Sequence, residues 1–326
     1  MMKKPILFLL ALLANGSHAA TLGPENCRII IPKPSEVANE TASWSGACVN
    51  GYADGEGELV RKVDDREIGS FKGLMAQGMM AKGYEKAPGG GQFEGEYKNG
   101  YREGHGTWLS AKGDCYEGEW KYGWRDGAGV AEYALGGRVE GRWTRGKPAA
   151  TNKVIFAGGR TGTVADIPPA EKPAGEAEKF NLRQVDMNSI NHFAAKLALN
   201  GTVPFDKNYA DMTPQQQQQF RRHYPVLHPD DTPPYPEKGT AQIFRWLSKA
   251  QGKLRIDGVL RAVVDVNAEG KATSIRVFES PDPNLRELIK AIMSEQKFAP
   301  AVCSGKPCAM RFPFETRFTA NEGGGP

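Results

Sequence analysis

Residues 93 to 114 read FEGEYKNGYREGHGTWLSAKGD, and the same pattern returns twice further along the chain. Residues 116 to 138 read YEGEWKYGWRDGAGVAEYALGGR, and residues 139 to 147 begin another copy as VEGRWTRGK. The three copies therefore start 23 residues apart, at positions 93, 116 and 139. A fixed period of this length predicts a repeat architecture in which each copy is one supersecondary unit stacked on its neighbours.

Two further copies lie upstream. Residues 44 to 57, WSGACVNGYADGEG, align with the pattern position by position. A weaker copy lies between residue 57 and residue 93, and it is recognised by Gly69, Phe71, Lys72 and Gly78. The sequence thus predicts five copies, running from residue 44 to about residue 147.

Each copy is predicted to be a β-hairpin. Alternation places Phe93, Gly95 and Tyr97 on one face of the first strand and the glutamates between them on the other. Asn99-Gly100 is the dipeptide that a two-residue hairpin turn prefers, since both positions can adopt positive φ. The return strand is expected to place three residues on one face, namely Gly104, Gly106 and Trp108. One hairpin cannot bury its aromatic residues alone, so the copies are expected to stack into an elongated all-β sheet.

The consensus of these copies, Y/F-E-G-E-W/Y-K-x-G-x-x-x-G-x-G, resembles the MORN repeat family. The resemblance implies an interaction or assembly scaffold, and lipid contact is a further property proposed for such arrays. The aromatic and glycine residues of the copies are interpreted as core positions. None of them is nominated as a ligand site.

The first nineteen residues are interpreted as a signal peptide. Lys3 and Lys4 precede an apolar stretch from Pro5 to Ala14, which is shorter than the roughly 20 residues of a membrane-spanning helix. Ser17-His18-Ala19 offers small residues at a cleavage site before Ala20. The predicted location is the periplasm, and the alternative is an uncleaved inner-membrane anchor with the rest of the chain facing the periplasm.

Charge and cysteine content limit the possible functions. Without Lys3 and Lys4 the chain carries 40 basic and 38 acidic residues, and this balance argues against nucleic-acid binding. An exported chain meets an oxidising compartment, so the five cysteines are candidates for pairing. We expect a Cys303–Cys308 disulfide and a Cys27–Cys48 disulfide, which would leave Cys115 as a thiol.

Residues 20 to 43 form an N-terminal segment, and the chain changes composition after the array. Residues 148 to 179 read as a linker rich in proline and alanine, although Val154 to Phe156 also suits a strand that caps the last repeat. Residues 180 to 230 are predicted to be a helical connector, in which Thr213 caps a helix that starts at Pro214. His223, His228, Asp230 and Asp231 were considered as metal ligands, and no metal site is predicted.

Residues 231 to 320 are predicted to form a small α+β domain of order β-β-α-β. Gly258 to Val266 reads as one strand and Ala272 to Glu279 as its return. Asp282 is expected to cap a helix that begins at Pro283. That helix has one apolar face, and the strand after it alternates, as shown by Leu285, Leu288, Ile289, Ile292 and Met293, and then by Met310, Phe312, Phe314, Thr316 and Phe318.

The same region resembles the C-terminal domain of TonB-family proteins, including energy-transducing TonB. The resemblance is carried by PYP at 234–236, VDVNAEGK at 264–271, VFESPDPNLRELI at 277–289, KFAPA at 297–301, GKP at 305–307 and the strand ending at Phe318. One departure is the stretch from Lys238 to Gln251, whose apolar residues predict an added helix. The Pro-rich part is also short, and a cleaved signal peptide would leave no helix to couple to a motor.

This resemblance implies that the last strand of the domain receives an extended segment of an outer-membrane receptor, by addition of a strand. Pro313 suits such an edge because proline cannot donate into a central ladder. The residues assigned to partner binding are Met310, Arg311, Phe312, Pro313, Phe314, Glu315, Thr316, Arg317 and Phe318. Packing or self-pairing of this edge is the alternative interpretation.

The sequence contains no recognisable catalytic constellation, so no enzyme activity and no cofactor are predicted. The favoured function is a non-catalytic periplasmic protein that binds a protein partner through its TonB-like domain and uses the repeats as a scaffold. One alternative is a component of TonB-type energy transduction for receptor-dependent uptake. Another is an envelope scaffold that contacts lipid or peptidoglycan through the repeats. The sequence leaves the oligomeric state open.

Overall fold

The computed structural model describes residues 20–32, 39–167, 180–181, 200–201, 204, 206–254 and 256–318. The predicted signal peptide, residues 168–179 of the predicted linker and residues 182–199 of the predicted connector lie outside this part of the chain. Among the described residues, no helix combines the length and apolar character needed to cross a membrane.

The first half of the chain is built from short antiparallel strands. They are β1 (Ala20–Leu22), β2 (Ile29–Ile31), β3 (Glu40–Trp44), β4 (Ala47–Val49), β5 (Tyr52–Val63), β6 (Arg66–Ala76), β7 (Met79–Lys86), β8 (Gln92–Lys98), β9 (Tyr101–Leu109), β10 (Cys115–Lys121), β11 (Trp124–Glu132), β12 (Arg138–Thr144), β13 (Lys147–Pro148), β14 (Lys153–Ile155) and β15 (Thr161–Thr163). Strands β3 to β15 form one 13-stranded sheet. Along β5 to β12 each strand pairs with the next one in sequence, so the predicted stack of hairpins is confirmed.

The hairpin turns share one backbone conformation. Asn99 and Gly100 both have positive φ, at 53° and 75°, as a two-residue turn of this kind requires. The equivalent positions of the next copy are Tyr122 and Gly123, at 50° and 80°. The turn therefore persists where a tyrosine replaces asparagine, which indicates that stacking on the neighbouring hairpins holds it in place.

Aromatic residues of successive hairpins form a continuous row on one face of the sheet. Consecutive rings meet edge to face with centroids 5.1–5.7 Å apart, the arrangement that aromatic pairs prefer. The row contains Phe71, Tyr97, Phe93, Trp120, Tyr116 and Trp143. Most of its members are fully or almost fully buried, so the assignment of these aromatic residues to the core is confirmed.

Segments outside the predicted repeats cover both ends of the array: part of the predicted linker at one end and part of the N-terminal segment at the other. Val154 of β14 pairs with Val139, and β15 pairs in turn with β14. Residues 148–167 therefore extend the sheet instead of forming a linker, because Val154 and Phe156 are buried against the last repeat. At the other end, Ile29 of β2 is buried in the core of the array.

The second half contains the helices. Its elements are β16 (Phe180–Asn181), β17 (Asn200–Gly201), α1 (Pro214–Arg221), β18 (Tyr235–Pro236), α2 (Ala241–Leu254), β19 (Gly258–Val266), β20 (Ala272–Glu279), α3 (Pro283–Ser294), β21 (Phe298–Ala299), β22 (Ala301–Cys303), β23 (Lys306–Cys308) and β24 (Met310–Phe318). In the described part of the predicted helical connector only α1 is helical, and β16 pairs with β17. The added helix between the Tyr-Pro element and the first long strand is confirmed as α2.

The long strands and helix predicted for the C-terminal region are confirmed at their predicted starts. Strand β19 lies between β20 and β24 in a three-stranded antiparallel sheet. Thr213 caps α1 by accepting from the backbone of Gln216, and Asp282 caps α3 by accepting from Asn284 and Leu285. The apolar face of α3 is buried in the same core as the inward residues of β19 and β24.

Candidate partner-binding edge

Strand β24 lies at the edge of the C-terminal sheet. Within the described residues it pairs along its whole length with β19, from Gly258 opposite Phe318 to Val266 opposite Met310, and no strand is paired to its other side. An edge strand of nine residues is long enough to receive another strand.

One hydrogen bond shows which residues of β24 direct their backbone groups away from β19. The hydroxyl of Tyr224 donates to the carbonyl oxygen of Arg311 at 2.7 Å. Tyr224 does not belong to the sheet, so this carbonyl points outward. Backbone direction alternates along a strand, and Pro313, Glu315 and Arg317 therefore point outward as well. Pro313, which has no N–H, thus occupies the side of β24 where a missing donor costs no ladder bond with β19.

The edge is already closed at its Arg311 end. Burial raises the pKa of Tyr224 far above its ordinary value, so the hydroxyl remains a donor to Arg311. Within the described residues no second strand is hydrogen-bonded to the rest of this edge, from Pro313 to Arg317, and β17 lies close to β24 without pairing with it. The nine residues assigned to partner binding from the sequence are all in β24, but only alternate ones direct their backbone groups away from β19.

The side chains of β24 divide between two faces. Met310, Phe312, Phe314, Thr316 and Phe318 are buried in the core. On the other face Glu315 accepts from Arg261 Nε at 3.0 Å. Arg311 is partly exposed but engaged: its Nε donates to Asp265 Oδ1 at 3.0 Å and its Nη1 to the carbonyl oxygen of Ala134 at 3.1 Å. Asp265 and the hairpin end at Ala134 hold the Arg311 guanidinium between the two halves of the protein.

A cavity of about 310 Å³ lies beside β24. Its walls come from three regions that are distant in sequence. The C-terminal sheet and helices contribute most of the lining, residues 220–225 contribute a second wall, and the array contributes Lys112, Asp114, Ala134 and Leu135. No sequence pattern predicts this arrangement, because it depends on how the array and the C-terminal domain dock.

The docking itself is tight. Leu135 of the array is buried in the core of the C-terminal domain, and Val226 is buried in the core of the array. The backbone N–H of Ala157 donates to the carbonyl oxygen of Val226 at 2.9 Å. Nearby, Arg160 Nη2 lies 2.6 Å from Asp231 Oδ1, and the Asp231 side chain is completely buried.

The two expected cysteine pairs are bonded in the structure. Cys27 is bonded to Cys48 and Cys303 to Cys308, with Cys115 as a free thiol. The first bond ties the N-terminal segment to the first hairpin. The second closes the β22–β23 hairpin, and the Cys303 sulfur lies against Gly158 of the array end. His228 contacts Arg160 and Asp230, and the described residues contain no group of three or more potential metal ligands.

These features define a repeat protein of stacked antiparallel β-hairpins joined to an α+β domain with an open sheet edge. The family model described as MORN repeat matches residues 93–115 and 116–138. The MORN assignment is thus confirmed for two of the five predicted copies. This match does not extend to residues 231–320, and the TonB-like character of that region stays a prediction. No curated protein matches the chain.

Proposed function

We propose that this protein is a non-catalytic periplasmic interaction protein. Its C-terminal domain binds an extended segment of a partner protein by strand addition to β24, and its MORN array is the scaffold that carries this domain. The observation that carries the proposal is the outward-pointing backbone of Pro313, Glu315 and Arg317 on a strand to which no second strand is hydrogen-bonded among the described residues.

The chemistry of the edge favours backbone pairing over recognition of exposed side chains. Glu315 is engaged by Arg261, and Arg311 is engaged by Asp265 and Ala134. Only Arg317 extends freely from the outward face, since the described residues offer it no hydrogen bond or ion pair. Affinity is therefore expected to come from ladder hydrogen bonds, with selectivity supplied by pockets beside the strand.

The scaffold role rests on the MORN match and on the regular stacking of the hairpins. The periplasmic location rests on the signal-peptide features of residues 1–19 and on the cysteine pairs. Intact-mass analysis of the protein recovered from cells tests the location, since cleavage before Ala20 is expected. A species that retains Met1 in the inner membrane would contradict it.

The binding mode is tested with segments selected from a random peptide display library on the mature chain. Glu315→Pro removes an outward N–H. It is expected to lower the affinity for a selected segment by roughly fivefold or more, which corresponds to the loss of about one ladder hydrogen bond. Glu315→Ala keeps the N–H and is the matched control, with a change of less than about twofold expected.

Thr316→Pro completes the set. Its N–H points toward β19, so this substitution is expected to destabilise the sheet itself, by about 3 kcal/mol or more. A folded Glu315→Pro variant that binds selected segments as tightly as the parent would show that β24 is not the pairing edge. The MORN sheet would then be the surface to examine.

A further inference from the structure

The cavity beside β24 has a polar feature that its aromatic lining does not explain. Tyr235 and Thr240 both line it, and they are only 1% and 4% exposed. Their hydroxyl oxygens form no hydrogen bond within the described residues. Buried hydroxyls in folded proteins nearly always have a partner, either protein or water, so these two can serve a polar atom that enters the cavity.

The protonation state of Tyr235 makes it a hydrogen-bond donor. Burial raises the pKa of its phenol. The Thr240 hydroxyl lies close enough to offset part of this rise, but the two oxygens do not form an aligned hydrogen bond. At neutral pH both groups are therefore neutral hydroxyls, and each can donate to or accept from a polar atom placed between the aromatic walls.

The remaining walls set the shape and polarity of the occupant. Phe220, Phe244, Phe312 and Phe314 form an aromatic surround. Arg261 is already paired with Glu279 and Glu315. Lys112 and Arg222 also line the cavity, and both are exposed to solvent. Because solvent screens the charges of Lys112 and Arg222, a carboxylate or ammonium placed between the buried aromatic rings would lose its hydration with little compensation. The cavity thus favours an uncharged aromatic group with one polar tip.

The position of the cavity matches that of a side chain on an added strand. Successive residues of a strand point to opposite faces of the sheet. A residue added beside Phe312 and Phe314 would direct its side chain to their face, into the aromatic part of the cavity. The volume of 310 Å³ is about twice that of an apolar cavity of ~150 Å³ known to accept a benzene ring, so it can hold a substituted ring.

We propose that this cavity is an anchor pocket for one tyrosine-like side chain of the partner segment, with the phenol oxygen hydrogen-bonded by Tyr235 and Thr240. The inference rests on the proposed strand addition for its biological role, while the pocket itself can be tested separately. The array closes the pocket from the outside through Lys112 and Leu135. The scaffold therefore takes part in choosing the partner.

The first experiment uses p-cresol, the side-chain fragment of tyrosine, and toluene, which lacks only the hydroxyl. Each is titrated into the mature chain and followed by amide and methyl chemical shifts. We expect p-cresol to shift resonances around Tyr235 and Phe312 and to bind about three- to tenfold more tightly than toluene. Equal affinities, or shifts located elsewhere, would overturn the anchor pocket.

The second experiment removes the hydroxyls one at a time with little change of shape. Tyr235→Phe and Thr240→Val are each expected to lower the affinity for p-cresol by about three- to tenfold and to leave the affinity for toluene unchanged. Arg317→Pro is the matched control, because Arg317 lies on the same edge but does not line the cavity, and p-cresol affinity should stay constant. Unchanged p-cresol affinity in both hydroxyl variants would contradict the assigned hydrogen bonds.

The third experiment separates this proposal from strand addition. Short capped peptides of alternating threonine and valine carry tyrosine, phenylalanine or alanine at the central position. Tyrosine is expected to bind most tightly and to lose its advantage over phenylalanine in Tyr235→Phe. If all three peptides bind equally and Glu315→Pro weakens each of them, strand addition stands and the anchor pocket fails. If p-cresol binds in the pocket and Glu315→Pro has no effect on the peptides, the pocket stands and strand addition fails.

Discussion

Glycines opposite aromatic rings decide whether one hairpin can lie against the next. A Cβ atom on Gly106 would lie 2.4 Å from Cζ of Phe93, whose side chain is fully buried. In the next copy a Cβ atom on Gly129 would lie 2.2 Å from the Tyr116 hydroxyl oxygen. These glycines are needed because the ring of the neighbouring strand lies directly on their backbone. Conformational freedom is not the reason, since neither has positive φ.

Gly106→Ala is expected to lower the free energy of unfolding by about 1–3 kcal/mol through overpacking. Thr107→Ala, the adjacent residue on the other face, should change it by less than about 0.5–1 kcal/mol. Combining Gly106→Ala with Phe93→Leu should cost less than the sum of the two single changes, since the smaller side chain relieves the clash. Denaturant unfolding measures all four variants, and strict additivity would contradict the proposed contact.

Successive hairpins are also joined at their turns by a repeated pair of hydrogen bonds. The N–H of Gln77 donates to Asp54 Oδ2 at 3.0 Å, and the N–H of Gly78 donates to the carbonyl oxygen of Ala53 at 2.8 Å. The same pair recurs further along the array, from Tyr122 and Gly123 to Glu103 and Arg102, and from Arg145 and Gly146 to Asp126 and Arg125. An acidic residue three positions after one turn thus fixes the next turn.

Asp54→Ala is expected to destabilise the array by about 0.5–1.5 kcal/mol, since the turn N–H of Gln77 loses its acceptor. Glu56→Ala is the matched control, because Glu56 is exposed and its carboxylate has no hydrogen bond or ion pair within the described region. Its effect should stay within about 0.5 kcal/mol. Thermal or denaturant unfolding compares the two, and equal effects would show that the turn bond contributes nothing measurable.

At the scale of the whole molecule, Arg160 and Asp231 join the array to the C-terminal domain. Asp231 is fully buried, and the N–H of Ser304 also donates to its Oδ1 at 3.3 Å. Loss of Arg160 would leave this carboxylate without its cation. The cavity beside β24 has walls from both halves of the protein. Loss of the Arg160–Asp231 ion pair is therefore expected to change the geometry of the binding edge as well.

Arg160→Leu is expected to lower the free energy of unfolding by about 3–5 kcal/mol. The loss should lie toward the lower end of this range, because the Arg160 side chain is partly exposed and the hydrogen bond from Ser304 remains. Adding Asp231→Leu should recover much of this loss, since no unpaired buried charge would remain. Lys153→Ala, at an exposed position of the same array end, is the control. Calorimetry should show the single transition of the parent separating into two in Arg160→Leu alone. A single unshifted transition would contradict the joint.

Local pattern was enough to predict the elements but not their docking. The period of 23 residues, the Asn99-Gly100 turn and the Asp282-Pro283 helix start are encoded by neighbouring residues, and the structure follows them. The sequence predicts a capping strand at Val154 to Phe156, which the structure confirms. The rest of residues 148–167 resembles a linker in composition, while its place in the array depends on contacts with the last repeat. The contact of Arg311 with Ala134 could not be predicted for a related reason, since the two residues are 177 positions apart in the sequence.

The central claim is that the outward side of β24 pairs with an extended segment, and amide hydrogen exchange tests it most directly. In the free protein the amides of Glu315 and Arg317 should exchange rapidly, while those of Phe314 and Thr316, which face β19, should be protected. Saturation with a selected segment should slow amide exchange at Glu315 and Arg317 by about fivefold or more. Exchange at Phe314 and Thr316 should change little. Exchange at Glu315 and Arg317 that stays rapid in the saturated protein would contradict the account.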